Sequence, residues 1–282
     1  TFAATHNQLF IMATITILAD NRSENPLFAT EHGLSIYMET DSHKLLLDTG
    51  ASDLFITNAE RAGIDLEQVD YLFLSHGHVD HTGGLQHFLR LNTKAKVLLS
   101  SHIIGNEFYS KREYLHSITS TADFDKFSDR LLPTDKNVTI EGSIHILTNI
   151  QQTHPLPLGN KNLYIKHGEG AYTRDDFRHE MALYTDGILF TGCAHSGLLN
   201  ILNACPMPTH TVIGGFHLLD ARRGDAYESQ EELIGLARTL KEKHTRTTFY
   251  TSHCTGDQAF ATMKGVMNEN LQRFTCGETL EV

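Results

Sequence analysis

The segment 72–85 reads LFLSHGHVDHTGGL: an apolar run, then three histidines and an aspartate within six residues, then two glycines. Imidazoles and a carboxylate packed so tightly need a proton, a metal or water between them. His76 and His78 are two apart, so on extended backbone they project the same way, while Asp80 and His81 follow on a turn. That spacing offers two imidazoles to one cation and a carboxylate with an imidazole to another. Nitrogen ligands with a carboxylate suit Zn2+, Fe or Mn2+, and the lack of a thiolate in the segment argues against a purely structural zinc knot. Gly77, Gly83 and Gly84 let the backbone pass close to such ions and open the next helix.

Side chains of this kind work only if rigid elements hold them. Apolar runs predict strands over 13–20, 34–40 and 43–50, the last closed by Asp48-Thr49-Gly50. A helix over 52–62, a strand over 71–75, a helix over 82–92 and a strand over 95–100 follow. From 101 to 137 the periodicity fades, and the stretch reads as an insertion or lid. Strand alternation returns over 137–150, and 180–192 predicts a hairpin joined at Asp186-Gly187. Then come a helix over 196–205, a strand over 209–219 and the clearest helix, 228–243. That last helix puts Leu233, Leu236, Ala237 and Leu240 on one face, with Glu231 and Glu232 early and lysines late. A strand ends in 246–256 and a helix over 257–268 closes the pattern. Four strands run into polar turns, SHGHVDH, TGCAHSG, GGFH and TSHCTG, and these turns are expected to converge.

The bulk numbers narrow the partners. With 282 residues, 40% of them hydrophobic and 20% charged, the chain can bury one large α/β core. A net charge of −11 leaves no basic face for a phosphate backbone, so nucleic acid is not the expected partner. Four cysteines without a CxxC pair fit a reducing cytoplasm, and no apolar run is long enough for a bilayer. One domain over 12–282 is expected, with residues 1–11 a leader or disordered terminus before Met12. Homo-oligomerisation stays open.

HGHVDH resembles the H-x-H-x-D-H signature of the metallo-β-lactamase superfamily, and HKLLLDTG resembles that superfamily's first motif. The resemblance implies a four-layer αββα sandwich, two mixed β-sheets flanked by helices. The motifs ADN (19–21), EHGLS (31–35), LSHGHVDHTGGL, TGCAHSG, GGFHL and TSHCTG are together similar to one branch. That branch includes 7,8-dihydropterin-6-ylmethyl-4-(β-D-ribofuranosyl)aminobenzene 5′-phosphate synthase and proteins known only as metal-dependent hydrolases.

Carried over residue by residue, the resemblance implies two divalent ions, zinc before manganese or iron. His76 and His78 would hold the first, Asp80 and His81 the second, with His253 the last ligand and Asp48 bracing the ligand loop. The chain departs from the family in mid-sequence, where Cys193 stands in place of a bridging aspartate. Either Cys193 bridges as a thiolate or His195 is the ligand; His195 is favoured because the branch's motif retains it. His154, His167 and His179 are weaker candidates for a remaining ligand.

Among the other residues, His217 could donate a proton or merely end a strand, and Glu31 and His32 could line a substrate pocket or hydrogen-bond their own turn. Cys254 reads as a packed residue. A paired centre suits a metal-dependent hydrolase or transferase acting on a small phosphorylated, pterin-like molecule, with Asp80 orienting the nucleophile. A non-catalytic metal sensor is the alternative. A nuclease is opposed by the acidity of the chain, and a redox di-iron protein by a histidine at position 78 and the short stretch after His253.

Overall fold

The computed structural model describes residues 13–220 and 222–282; the proposed leader, residues 1–11, lies outside the described residues. Two seven-stranded sheets face one another. The first runs in the order 279–281, 14–19, 35–39, 44–47, 71–73, 96–100, 131–134. The second runs 271–273, 248–251, 211–213, 188–190, 182–185, 144–147, 138–140. Both are mixed, with antiparallel pairing on one side and parallel pairing on the other.

The strands read as near-continuous apolar runs because both of their faces are covered. In Tyr71–Phe73 and the residue after it, Phe73 points between the sheets toward Phe190, whereas Leu72 and Leu74 point outward. Outside the first sheet, helices Leu54–Arg61 and Leu85–Leu91 bury Phe55, Ala59, Leu85, Phe88 and Leu89 against those outward leucines. Helices Leu198–Ala204, Gln230–Lys243 and Asp257–Met267 cover the second sheet in the same way. The αββα sandwich expected from the sequence is therefore the observed fold.

Three local departures have physical causes. The helix expected over 82–92 is broken into Val79–Thr82 and Leu85–Leu91. A Cβ on Gly84 would overlap the carbonyl oxygens of Thr49 and Ser52, so the chain presses backbone against backbone there instead of completing a helix. The strand expected over 209–219 stops at Ile213, where Gly214 takes φ +148° and the chain crosses Gly192. The stretch 101–137, without period in the sequence, holds strands Asn106–Lys111, Leu115–Ser117 and Leu131–Thr134. The first two join Leu163–His167 and Tyr172–Arg174 in a four-stranded sheet, of which Leu115–Ser117 and Tyr172–Arg174 are exposed throughout and leave no apolar alternation to read. Among the described residues no helix is long and apolar enough to cross a membrane.

Arg130, buried at the edge of this region, donates to the carbonyls of Leu89, Asn92 and Ala95. It closes the turn that feeds strand Lys96–Ser100. Replacing it with methionine leaves those carbonyls without donors and is expected to lower stability by about 2–4 kcal/mol. Urea unfolding checks this, with cation stoichiometry expected to stay unchanged.

Candidate metal centre

Parallel strands of both sheets deliver their C-terminal ends to one place. Lys44–Leu47 leads to Asp48, Tyr71–Phe73 to the 76–81 segment, Ile188–Phe190 to Cys193 and His195, Thr211–Ile213 to His217, and Thr248–Thr251 to His253. Asp48, Ala194, His217 and His253 all sit at positive φ (59°, 56°, 51° and 51°) without being glycine. Each costs on the order of 1 kcal/mol, and such strain gathers where side chains must be aimed.

The Nε2 atoms of His76, His78 and His195 are buried without a hydrogen-bond partner among the described residues. They belong to a group whose ligand atoms lie within 4.8 Å of one another. Beside it, His81 Nε2 lies 3.2 Å from His253 Nε2, and Asp80 Oδ2 lies 3.7 Å and 3.4 Å from the same two atoms. Cys193 Sγ is 3.1 Å from His81 Nε2 and groups both with His76 and His81 and with His195 and His217. The structure thus brings Cys193 and His195 to the same centre rather than choosing between them. Buried imidazole nitrogens with no partner, next to a carboxylate and a thiol, are a donor set that fits divalent cations.

Hydrogen bonds at the other ring nitrogen aim four of these rings. Asp48 accepts from Ser75 N at 2.7 Å, from Ser75 Oγ at 2.6 Å and from His81 Nδ1 at 2.7 Å. With its own proton given to Asp48, Ser75 Oγ accepts from His76 Nδ1 at 2.8 Å. Asn160 accepts from His195 Nδ1 at 3.1 Å while donating to the His195 carbonyl, and Asn21 treats His253 in the same way. In each case a proton sits on Nδ1, so Nε2 is the atom left to face a cation.

Charge follows the same plan. Burial, then the neighbouring imidazoles, hold His76 and His195 well below the ordinary histidine value, and burial lowers His78 as well. Burial opposes charge on Asp80, yet His81 and His253 outweigh it and keep the carboxyl well below its usual range. Burial likewise opposes the charge on His253, but Asp80 and Cys254 push it up to about 9. Burial, with Cys254 alongside, pushes the Cys193 thiol well above its ordinary value, so ionising it needs a positive partner.

The centre opens into a cavity of about 210 Å3 lined by His32, His78, Asp80, Cys193, His195, His217 and Cys254, among others. His32 stacks on His253 with ring centroids 5.2 Å apart. His217 Nε2 is buried and without a partner among the described residues, its ring 4.2 Å from that of His195. Glu31 is turned elsewhere: its carboxylate accepts from Ala51 N, Ser52 N and Ser52 Oγ. His154 lines a separate apolar cavity, and His167 is exposed and bonded to Asn106. His179 accepts from Gly77 N at 3.1 Å and donates to Asp175 at 3.0 Å, so it props the ligand loop with both ring nitrogens engaged.

Two buried carboxylates escaped the sequence reading. Asp175 bonds His179 and lies 3.8 Å from His78 Nε2. Glu180 accepts from His195 N and Ser196 N, both at 2.6 Å, and so fixes the loop that presents His195. No spacing rule marks either one: Glu180 serves a backbone in another loop, and Asp175 meets His179 four residues on in a stretch without helix to make that spacing meaningful. Glutamine at 180 would turn an amide NH2 toward one of those N–H groups. The expected loss is about 1–3 kcal/mol, with a fall in cation affinity, checked by urea unfolding and zinc competition.

Comparison with known proteins agrees with this geometry. A family model described as "Metallo-beta-lactamase superfamily" matches residues 30–117. The 7,8-dihydropterin-6-methyl-4-(beta-D-ribofuranosyl)-aminobenzene-5'-phosphate synthase of Methanocaldococcus jannaschii is 25% identical, covering 94% of this chain and 95% of its own. An uncharacterized protein of the same archaeon is 26% identical over 90% of this chain and 95% of its own. A crystal structure of a metal-dependent hydrolase of the beta-lactamase superfamily has TM-score 0.78 and 27% identity, covering 96% of this chain and 99% of that one. The 76–81 segment, the two-sheet sandwich and these likenesses show that this chain has the metallo-β-lactamase fold and is similar to proteins of that superfamily.

Proposed function

We propose that the chain is a metal-dependent hydrolase or transferase acting on a small phosphorylated molecule. The observation that carries this reading is the set of three buried, unpartnered Nε2 atoms, on His76, His78 and His195, beside Asp80, His81 and His253. His76, His78 and His195 would hold one cation, and Asp80, His81 and His253 a second, with Cys193 between them. Nitrogen, carboxylate and thiol donors together favour zinc, with manganese or iron as alternatives. Bound there, two divalent ions supply Lewis acidity toward an ester oxygen and acidify water toward a pKa of roughly 7.

The chain's own residues do the rest. Asp80 keeps its carboxylate ionised and orients the attacking group, while His217, which lines the same cavity with its ring 4.2 Å from that of His195, gives a proton to the leaving oxygen. His32 closes the side over His253. The likeness to the M. jannaschii synthase supports a phosphorylated, pterin-like substrate. The net charge of −11 speaks against nucleic acid, and four free cysteines suit a cytoplasmic setting.

The test is removal of cations by chelation, reloading with Zn2+, Mn2+ or Fe2+, and assay against a phosphodiester, a phosphomonoester and a lactone. Turnover lost on chelation and regained on reloading is the expected result. Silence on every substrate from fully loaded protein would instead favour a metal-binding sensor.

A further inference from the structure

We propose that the hairpin laid over the metal centre carries an anion subsite, Arg112 with His116, which selects substrates bearing a phosphomonoester away from the reacting bond. The inference rests on the functional reading above and adds the class of molecule the cavity accepts. Strands Asn106–Lys111 and Leu115–Ser117 pair with Ser110 opposite His116 and Lys111 opposite Leu115. Period-two alternation therefore puts Phe108, Ser110 and Arg112 on the face shared by His116 and Ile118. Ser110, Arg112, His116 and Ile118 line the same cavity as Asp80 and His195.

The hairpin is fixed at its base and touches a second loop at its tip. At its base, Val79 N donates to the Ile118 carbonyl at 2.7 Å, and the Phe108 ring lies 4.4 Å from His179 and 5.7 Å from His78. At its tip, Glu113 pairs with Arg222 at 3.0 Å, tying the turn to the loop across the mouth. Glu113 is thereby occupied, and Arg112 has no ion pair among the described residues. Most exposed arginines are simply solvated. This one lines the cavity of the metal centre, on a hairpin anchored at its base, in a chain of net charge −11.

The face changes character along its length, from Phe108 against the metal loop to Arg112 at the mouth. Four strand residues span roughly 13 Å, about the length of a small molecule with one end at the histidines. An arginine fork grips a phosphate by two parallel hydrogen bonds, and a histidine beside it adds a third donor.

Isothermal titration with phenyl phosphate and with benzoate tests this, on chelated and on zinc-loaded protein, for wild type, Arg112→Ala, Arg112→Lys and His116→Ala. Phenyl phosphate is expected to bind chelated wild type and to weaken at least tenfold in Arg112→Ala. Arg112→Lys should be intermediate, benzoate weaker than phenyl phosphate, and zinc stoichiometry unchanged throughout. Equal binding by Arg112→Ala, or binding that requires zinc and ignores all three variants, overturns the subsite. The two readings fail separately. Loaded wild type that turns over no ester but holds phenyl phosphate through Arg112 removes the enzyme and keeps the subsite; turnover of a lactone without phosphate discrimination does the reverse.

Discussion

Replacing Asp48 with asparagine is expected to leave the fold standing and to lower affinity for divalent cations by at least roughly 10–100-fold. Asparagine tolerates the positive φ of this position and matches the carboxylate in shape. Its amide, however, puts a donor where an acceptor is required. If NH2 faces Ser75 N, two donors oppose each other. If it faces Ser75 Oγ and His81 Nδ1, both must become acceptors. His81 then carries its proton on Nε2, the atom beside Cys193 and His253, and the inward lone pair is lost. Ser75, now accepting from the amide, turns its own proton to His76 Nδ1 and flips that ring as well. One substitution thus disables a ligand in each proposed cation set. The accompanying loss of stability is about 1–3 kcal/mol. Asp48→Ala strands three donors and should cost more, about 3–5 kcal/mol. Zinc competition with a chromophoric chelator measures the first effect and urea unfolding of chelated protein the second. Wild-type zinc affinity in Asp48→Asn would mean that this carboxylate does not set the His81 tautomer.

The same network explains what could be read from the sequence and what could not. The segment 76–81 is legible because its ligands are local, and strand followed by turn dictates their directions. Asp48 is legible through the resemblance of HKLLLDTG to the superfamily's first motif. The propping residues Asn21, Asn160 and Glu180 are not, because each serves a partner far along the chain or a backbone group, and the Asp175–His179 pair is not because it lies in a stretch without regular structure. His179 illustrates the difficulty: as a histidine it looks like a ligand, yet its environment makes it a strut under Gly77. Glu31 is the converse, a carboxylate in a pocket-like motif that caps its own neighbourhood. The 106–117 hairpin was hidden for another reason. Its outer face is solvated, and its inner face passes from the single buried Phe108 to the polar Ser110 and His116, so too few apolar residues alternate to betray a strand.

Cys193 and His195 can be separated by spectroscopy on cobalt-substituted protein. Cys193 shares groups with His76 and His81, with His195 and His217, and with His253 and Cys254, so its sulfur lies where both cations would be felt. His195 groups with His76 and His78 and with Cys193 and His217. Cys193→Ser is therefore expected to weaken both ions and to abolish the near-ultraviolet thiolate-to-metal band. His195→Ala should keep that band while weakening one equivalent by more than the roughly 10–100-fold typical of a bracing partner. Cys193→Asp, which supplies the oxygen ligand of the family pattern, should retain two ions without the band. Cys254 is the necessary control: its sulfur lies within 4.8 Å of the ligand atoms of Cys193 and His253, close enough to substitute as a thiolate. A band that survives in Cys193→Ser and vanishes in Cys254→Ser would move the sulfur ligand to position 254. His253 and its neighbour would then hold the second ion from one strand end, and Cys193 would be left as packing.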